Sequence, residues 1–109
     1  MKQREIWMAD LNPVKGSEQK GVRPIVIISG NAMNDNLGIY IICPLSSKIK
    51  HYAGCLVLKK DTTNNLDVDS EIITFQIRTI AKERLIRKIG EVTKDQLVAV
   101  KHGLNEILT

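Results

Sequence analysis

Residues 24–29 read PIVIIS and decide the fold class, because four consecutive β-branched residues after a proline are typical of a strand buried on both faces. Shorter apolar runs of the same kind are found at residues 6–9 (IWMA), 39–43 (IYIIC), 54–58 (GCLVL) and 70–75 (SEIITF). Turn-forming residues separate these runs, as at residues 61–65. We predict a loop over residues 30–36 and expect Pro44 to interrupt the pairing of its strand. The first two thirds of the chain are therefore predicted to be all β.

The last third of the chain changes its hydrophobic period. Residues 81–85 have the composition of a short helical turn, and residues 88–92 return to a strand pattern. Thr93 and Gln96 have the spacing of a capping box at the start of a helix. One apolar stripe follows at helical spacing, formed by Leu97, Val100, Leu104, Ile107 and Leu108. The pattern predicts a mainly β fold with a C-terminal helix (α+β), in which five or six short strands form a partly open, SH3-like barrel.

The length and composition favour one domain over residues 1–109. A second independent core would leave each half below the size that usually folds unaided. Apolar residues make up 43% of the chain and aromatic residues 4%, so the core is predicted to be aliphatic. This composition excludes a disordered chain and a disulfide scaffold.

The formal charge of +4 favours a polyanion or an acidic protein as the partner. Cys43 and Cys55 lack the spacing of metal ligands and are expected to be reduced thiols, and we expect no metal or other cofactor. The first residues carry no apolar signal region, and no apolar stretch approaches the roughly 20 residues that span a bilayer. We expect a cytoplasmic protein without a membrane partner.

The most distinctive polar segment is residues 16–22, GSEQKGV, which leads directly into Arg23 and Pro24. A proline disfavours helical dihedrals in the residue before it, so Arg23 is predicted to extend from a stiff, strand-like backbone. An arginine held in this way offers phosphate a planar fork of donors. Alternatively, Arg23 pairs with a carboxylate such as Glu18 or covers the end of the barrel.

A second polar segment, residues 44–51 (PLSSKIKH), directly follows a predicted strand. Its two serine hydroxyls are suited to hydrogen-bond phosphate oxygens, although serines that cap a turn and lysines that face solvent explain the same residues. His51 is a weak candidate for a general base, since a lone histidine in a lysine-rich loop is usually a bystander. His102 is predicted on the solvated side of the terminal helix.

Residues 70–80 end in FQIRTI. A regular strand would place Gln76, Arg78 and Ile80 on one face, with Phe75, Ile77 and Thr79 on the other. Gln76 is then available to hydrogen-bond an RNA base edge. Arg78 either braces a loop, contacts a phosphate or forms an ion pair beneath the barrel.

Three segments together resemble the MazF/PemK family of toxin endoribonucleases: residues 6–13 (IWMADLNP), 16–28 (GSEQKGVRPIVII) and 76–85 (QIRTIAKERL). They occur in order over nearly the whole chain, and GSEQ followed by Arg-Pro and a Val/Ile strand is the most specific. The resemblance implies the CcdB/PemK-like barrel and a homodimer with RNA crossing its interface. It also implies metal-independent cleavage of single-stranded RNA and restraint by a cognate antitoxin protein.

The resemblance also implies roles for individual residues. Arg23 matches the family's catalytic arginine, and Ser46 falls where members carry a catalytic threonine or serine. Ser47 is adjacent, and a shift of one residue would exchange the two and turn the side chain to the opposite face. Ser17, Glu18 and Gln76 match positions that line the RNA groove. The implied reaction is attack by the RNA 2′-hydroxyl, which yields cyclic phosphate and 5′-hydroxyl ends, with the general base unassigned.

Two other classes of function compete with this interpretation. One is a topoisomerase (gyrase) poison of the same fold, like the CcdB-type proteins, which acts by protein binding without cleavage; it is disfavoured because the Arg23 and Ser46 segments match the nucleases. The other is an inactive RNA-binding module. It is weakened because Tyr52 and Phe75 are too few to reveal an aromatic stacking platform in the sequence. Residues 30–38 and 48–54 are the loops in which we expect RNA specificity to reside.

Overall fold

An antiparallel sheet of seven strands and two α-helices make up the part of the chain that the computed structural model describes, residues 1–12, 16, 18 and 21–109. In chain order the elements are β1 (Glu5–Asp10), β2 (Val22–Ile27), α1 (Asn31–Leu37), β3 (Ile39–Ser46), β4 (Leu56–Leu58), β5 (Ser70–Ile72), a 3-10 turn (Thr74–Gln76), β6 (Arg78–Ala81), a second 3-10 turn (Lys82–Arg84), β7 (Leu85–Glu91) and α2 (Lys94–Ile107). The mainly β fold with a C-terminal helix is confirmed.

The strands are arranged in the order β4-β5-β3-β2-β1-β7, and β6 pairs separately with β3. The long strand β3 therefore carries two partners on one side, β6 on its first half and β5 at its end. The result is an open, antiparallel sheet in which β3 pairs with three other strands.

The central strand β2 is buried on both faces, as the PIVIIS run predicts. Ile25 and Ile27 belong to one apolar cluster, which also contains Ile42 and Tyr40. Val26 and Ile28 belong to a second cluster, into which α2 inserts Leu97 and Val100. Residues 25–28 supply both clusters and are buried, which explains the unbroken β-branched composition of this stretch, whereas the start of β2 at Val22 is exposed.

The loop predicted over residues 30–36 was wrong, because residues 31–37 form the helix α1. The Asn34 side chain is buried there and donates to the Ser29 carbonyl at 2.9 Å. The helix ends at Gly38, whose φ of 66° suits glycine. Asparagines usually compete with helix formation, so this short polar segment carries no helical signal in its sequence.

The expected interruption at Pro44 was also wrong, because β3 continues through it to Ser46. Pro44 lies opposite Ile25, and its carbonyl accepts a hydrogen bond from the Ile73 amide at 2.9 Å. Pro44 lies between the residues of β3 that pair with β6 and those that pair with β5. The amide hydrogen that proline lacks is therefore not needed for a hydrogen bond to either strand.

The terminal helix begins as predicted. The Thr93 amide donates to the Gln96 side chain at 2.8 Å, and the Gln96 amide donates to the Thr93 hydroxyl at 3.1 Å. The predicted apolar stripe is wrong at its end, since Leu108 follows the helix and is 80% exposed. Gly103 is buried instead, because the backbone of Gly54 packs directly against it.

None of the helices in the described residues is long and apolar enough to cross a bilayer.

Candidate active site

The approach to Arg23 is fixed by hydrogen bonds at the base of the loop between β1 and β2. The Leu11 amide donates to the Gly21 carbonyl at 3.0 Å, and the Gly21 amide donates to the Asn12 side chain at 3.1 Å. Gly21 has a φ of 80°, which glycine adopts without a steric penalty. The Arg84 guanidinium also donates to the backbone carbonyl of Asn12. Arg23 is therefore half-buried in a paired strand, opposite Ala9, and does not lie at a mobile tip.

Strand register places three polar residues on one face of the sheet. Ile25 lies opposite Pro44, so Arg23 and Ser46, each two residues further along, continue that face from β2 and β3. Arg78 lies opposite Ile42, which alternation puts on the same face of β3 as Pro44 and Ser46.

A cavity of about 160 Å³ opens beside this face. It is lined by Glu18, Pro44, Phe75, Gln76, Ile77 and Arg78. The structure therefore brings Glu18 and Gln76 into one cavity wall. Their role in binding RNA stays a prediction, and Ser17 lies outside the described residues. Arg78 braces the neighbouring loop, since its guanidinium donates to the Leu11 carbonyl at 3.5 Å.

A larger cavity, of about 450 Å³, contains Arg23 and Ser47 in its wall. Its other walls include Met8, Pro24 and Leu45, which lie on the opposite face of the sheet from Ile25 and Ser46. A strand residue borders both faces through its backbone, so the presence of Arg23 in this wall does not determine where its guanidinium lies. We place the candidate site on the face given by the register, because strand alternation puts Arg23, Ser46 and Arg78 on that face.

The two serines at the end of β3 differ in environment. Ser46 is buried, and its hydroxyl oxygen accepts a hydrogen bond from the Lys48 amide at 3.2 Å. Accepting this bond leaves the hydroxyl hydrogen of Ser46 able to donate. Ser47 is exposed.

Glu71 is a structural residue of this region that the sequence analysis missed. It lies opposite Ser46 in the β3–β5 ladder and is completely buried. Its two carboxylate oxygens accept hydrogen bonds from the amides of Lys50 and Tyr52, each at 2.8 Å. His51, between them, has a φ of 54°, which non-glycine residues seldom adopt. A lone carboxylate inside the apolar run of residues 70–73 was the signal that could have revealed it.

The regular strand predicted over residues 70–80 is wrong, because the 3-10 turn at Thr74–Gln76 divides it. The turn brings Phe75 and Gln76 into the same cavity wall, whereas alternation would have put them on opposite faces. The Thr74 hydroxyl donates to the Gly54 carbonyl at 2.8 Å, which ties the turn to the loop after β3.

Cys43 adds no nucleophile to the site. Burial, reinforced by the neighbouring Cys55, raises the pKa of the Cys43 thiol to about 12, so it is protonated at neutral pH. His51 and His102 are exposed. In the described ranges no three His, Cys, Asp or Glu side chains are grouped so as to hold a metal ion.

The sequence as a whole matches one protein family, described as the PemK-like, MazF-like toxins of type II toxin–antitoxin systems, over residues 2–108. The chain belongs to this toxin family. The toxin is 37% identical over 109 residues to the endoribonuclease MazF9 of Mycobacterium tuberculosis, with 95% of this chain and 92% of the relative covered.

Solved structures also match the fold of this toxin. A crystal structure of MazF from Deinococcus radiodurans matches the toxin with a TM-score of 0.80 and 26% identity, over 98% of this chain and 94% of the other. A mycobacterial endoribonuclease in complex with its cognate antitoxin matches with a TM-score of 0.80 and 19% identity, over 99% of this chain and 94% of that one. At that identity the second match supports the fold alone.

Proposed function

We propose that this toxin is a metal-independent endoribonuclease that cleaves single-stranded RNA, including mRNA, at selected sequences, with Arg23 and Ser46 as catalytic residues. The observation that carries the proposal is the register of β2 and β3, which continues from Ile25 and Pro44 to Arg23 and Ser46 on one face. The cavity that contains Glu18 and Gln76 opens beside that face. The 37% identity to a mycobacterial endoribonuclease supports the same activity.

The reaction requires no nucleophile from the protein, because the RNA supplies its own 2′-hydroxyl. That oxygen forms a bond to phosphorus and loses its proton to a base, while the bond from phosphorus to the 5′-oxygen breaks and that oxygen gains a proton. The products are a cyclic phosphate and a 5′-hydroxyl end. The Arg23 guanidinium stabilises the charge on the phosphorane oxygens, and the Ser46 hydroxyl donates to one of them. Ser17, Glu18 and Gln76 bind the RNA.

The partners of the toxin follow from its family and its surface. We propose a homodimer and a cognate antitoxin protein, the latter because the family consists of toxins of type II toxin–antitoxin systems. Val22, Val68 and Val98 are each more than half exposed, which suits a chain whose surface is covered by other proteins. We propose that a single domain over residues 1–109 carries the activity and that the toxin acts in the cytoplasm. The free thiols Cys43 and Cys55 support this location, because cytosolic cysteines are usually reduced.

The first test is incubation of the purified toxin with a long single-stranded RNA in excess EDTA, followed by mapping of the cut sites and of the end chemistry. We expect cuts at a recurring short sequence that leave 5′-hydroxyl ends. Intact RNA together with inhibition of purified gyrase would contradict the proposal and favour the topoisomerase poison. Cleavage that stops in EDTA would contradict the metal-independent mechanism.

Replacement of each serine separately identifies the catalytic hydroxyl. We expect Ser46→Ala to lower kcat by about 100-fold, since loss of one preorganised donor typically costs that much. Ser47→Ala, at an exposed position, is expected to change kcat by less than about threefold. Thermal unfolding of both variants controls for the lost Lys48 hydrogen bond. The opposite ranking of the two kcat values would transfer the role to Ser47.

A further inference from the structure

Two of the chain's few aromatic residues, Tyr52 and Phe75, form an exposed pair. Their ring centroids are 5.0 Å apart and their planes meet at 87°. Tyr52 is 45% exposed and Phe75 is 48% exposed. Because the rings are nearly perpendicular, their contact covers one ring face and leaves flat aromatic surface accessible.

The pair is held rigidly from inside the fold. The buried Glu71 carboxylate accepts the Tyr52 amide, which fixes the loop that carries the tyrosine ring. Thr74, which precedes Phe75, is completely buried and donates to the Gly54 carbonyl of the same loop. The backbone segments that carry the two exposed rings are thus anchored by two buried polar side chains, an arrangement that apolar packing alone does not require.

The pair lies at the edge of the polar cavity of the candidate site. Phe75 contributes directly to the wall that also contains Glu18, Gln76 and Arg78. A carboxylate, an amide and a guanidinium together offer both hydrogen-bond acceptors and donors. Proteins that recognise single-stranded RNA combine such groups, which contact base edges, with aromatic rings, which stack on base faces.

We propose that Tyr52 and Phe75 form a stacking subsite for one unpaired base of the RNA, with the edge of that base directed into the cavity lined by Glu18 and Gln76. The inference rests on the proposed ribonuclease function and deepens it, because it assigns part of the sequence selectivity to an aromatic pair. The sequence does not reveal this subsite, because the chain has few aromatic residues. The two rings are 23 positions apart in the sequence and meet only through the fold.

The test compares variants that remove the flat ring with variants that keep it. Tyr52→Leu and Phe75→Leu retain apolar bulk without an aromatic face, whereas Tyr52→Phe and Phe75→Tyr retain the face. The binding probe is a fluorescein-labelled seven-nucleotide 2′-deoxy oligonucleotide of mixed sequence, which lacks the attacking hydroxyl and is measured by anisotropy. The same proteins are then used to map the cuts in a long RNA.

We expect each leucine variant to weaken binding by about tenfold, a typical loss for one stacked base. We also expect the base preference at one position of the cut sequence to relax. The ring-retaining variants are expected to bind within about twofold of the original toxin. Equal binding and unchanged cut sites in the leucine variants would overturn the subsite, as would equal losses in the ring-retaining variants.

The outcomes also separate the subsite from the proposed function. Ring-dependent binding of the probe by a toxin that leaves RNA intact would contradict the nuclease and retain the subsite. RNA cleavage that is insensitive to all four substitutions would retain the nuclease and remove the subsite. Absence of binding and of cleavage would contradict both.

Discussion

Arg23→Ala is expected to lower the rate of RNA cleavage by about 100- to 1,000-fold while leaving the fold intact. Arg23 extends from the paired strand β2, and removal of one donor that stabilises a developing oxyanion typically costs about 3 kcal/mol. Arg23→Lys keeps the positive charge but loses the planar fork of donors, so we expect it to recover part of the lost rate. The measurement is kcat on the RNA mapped in EDTA, together with thermal unfolding of each variant.

Arg87→Ala is the matched control for this prediction. Arg87 is an exposed arginine of β7 that lines the larger cavity, on the other face of the sheet. Arg87→Ala removes the same positive charge as Arg23→Ala, so a general electrostatic effect on RNA binding would appear equally in both variants. We expect Arg87→Ala to retain kcat within about threefold. Loss of activity in this variant with normal activity in Arg23→Ala would move the catalytic site to the larger cavity.

Gly103→Ala is expected to destabilise the toxin by about 2–3 kcal/mol, although alanine is the better helix former. The helical preference alone would stabilise α2 by about 1 kcal/mol. A Cβ atom at this position, however, would lie 2.0 Å from the Gly54 carbonyl oxygen, so the helix and the loop must move apart. The measurement is the free energy of unfolding by urea denaturation. Thermal unfolding is expected to show a Tm lower by about 10 °C or more.

Gly30→Ala provides the control for the Gly103 prediction. A Cβ atom at Gly30 meets no atom within 4 Å, and its φ of −68° is accessible to alanine. We expect the free energy of unfolding to change by less than about 0.5 kcal/mol. A Gly103→Ala variant as stable as Gly30→Ala would show that α2 does not pack against Gly54 in solution.

The sequence predicts the parts of this fold that are governed by composition or by local spacing. The β-branched run of residues 24–29 indicates a doubly buried strand, and Thr93 with Gln96 indicates the start of α2; both are confirmed. The helix α1 could not be predicted, because it depends on the Asn34 side chain meeting Ser29 and not on apolar periodicity. The strand through Pro44 depends on a change of partner that only the assembled sheet defines.

Some features of the candidate site could likewise be predicted from the sequence, whereas others required the structure. Arg23, Ser46, Glu18 and Gln76 are identified from local motifs and from family resemblance, and their catalytic and binding roles remain predictions. The proximity of Glu18 to Gln76 and of Tyr52 to Phe75 required the structure, because each pair is brought together by long-range contacts. The 3-10 turn at Thr74–Gln76 decides which side chains share a wall, and strand alternation does not anticipate it.

The buried carboxylate of Glu71 has a consequence for how the toxin meets its substrate. The amides of Lys50 and Tyr52, on either side of a left-handed residue, form the kind of concave backbone nest that binds phosphate in other proteins. Here the Glu71 carboxylate of the protein itself occupies the nest. The loop is consequently folded before RNA arrives, and association is spared an ordering cost of about 1–2 kcal/mol for each residue already fixed. We expect the exposed side chains of Lys48 and Lys50 in the same loop to attract the RNA backbone.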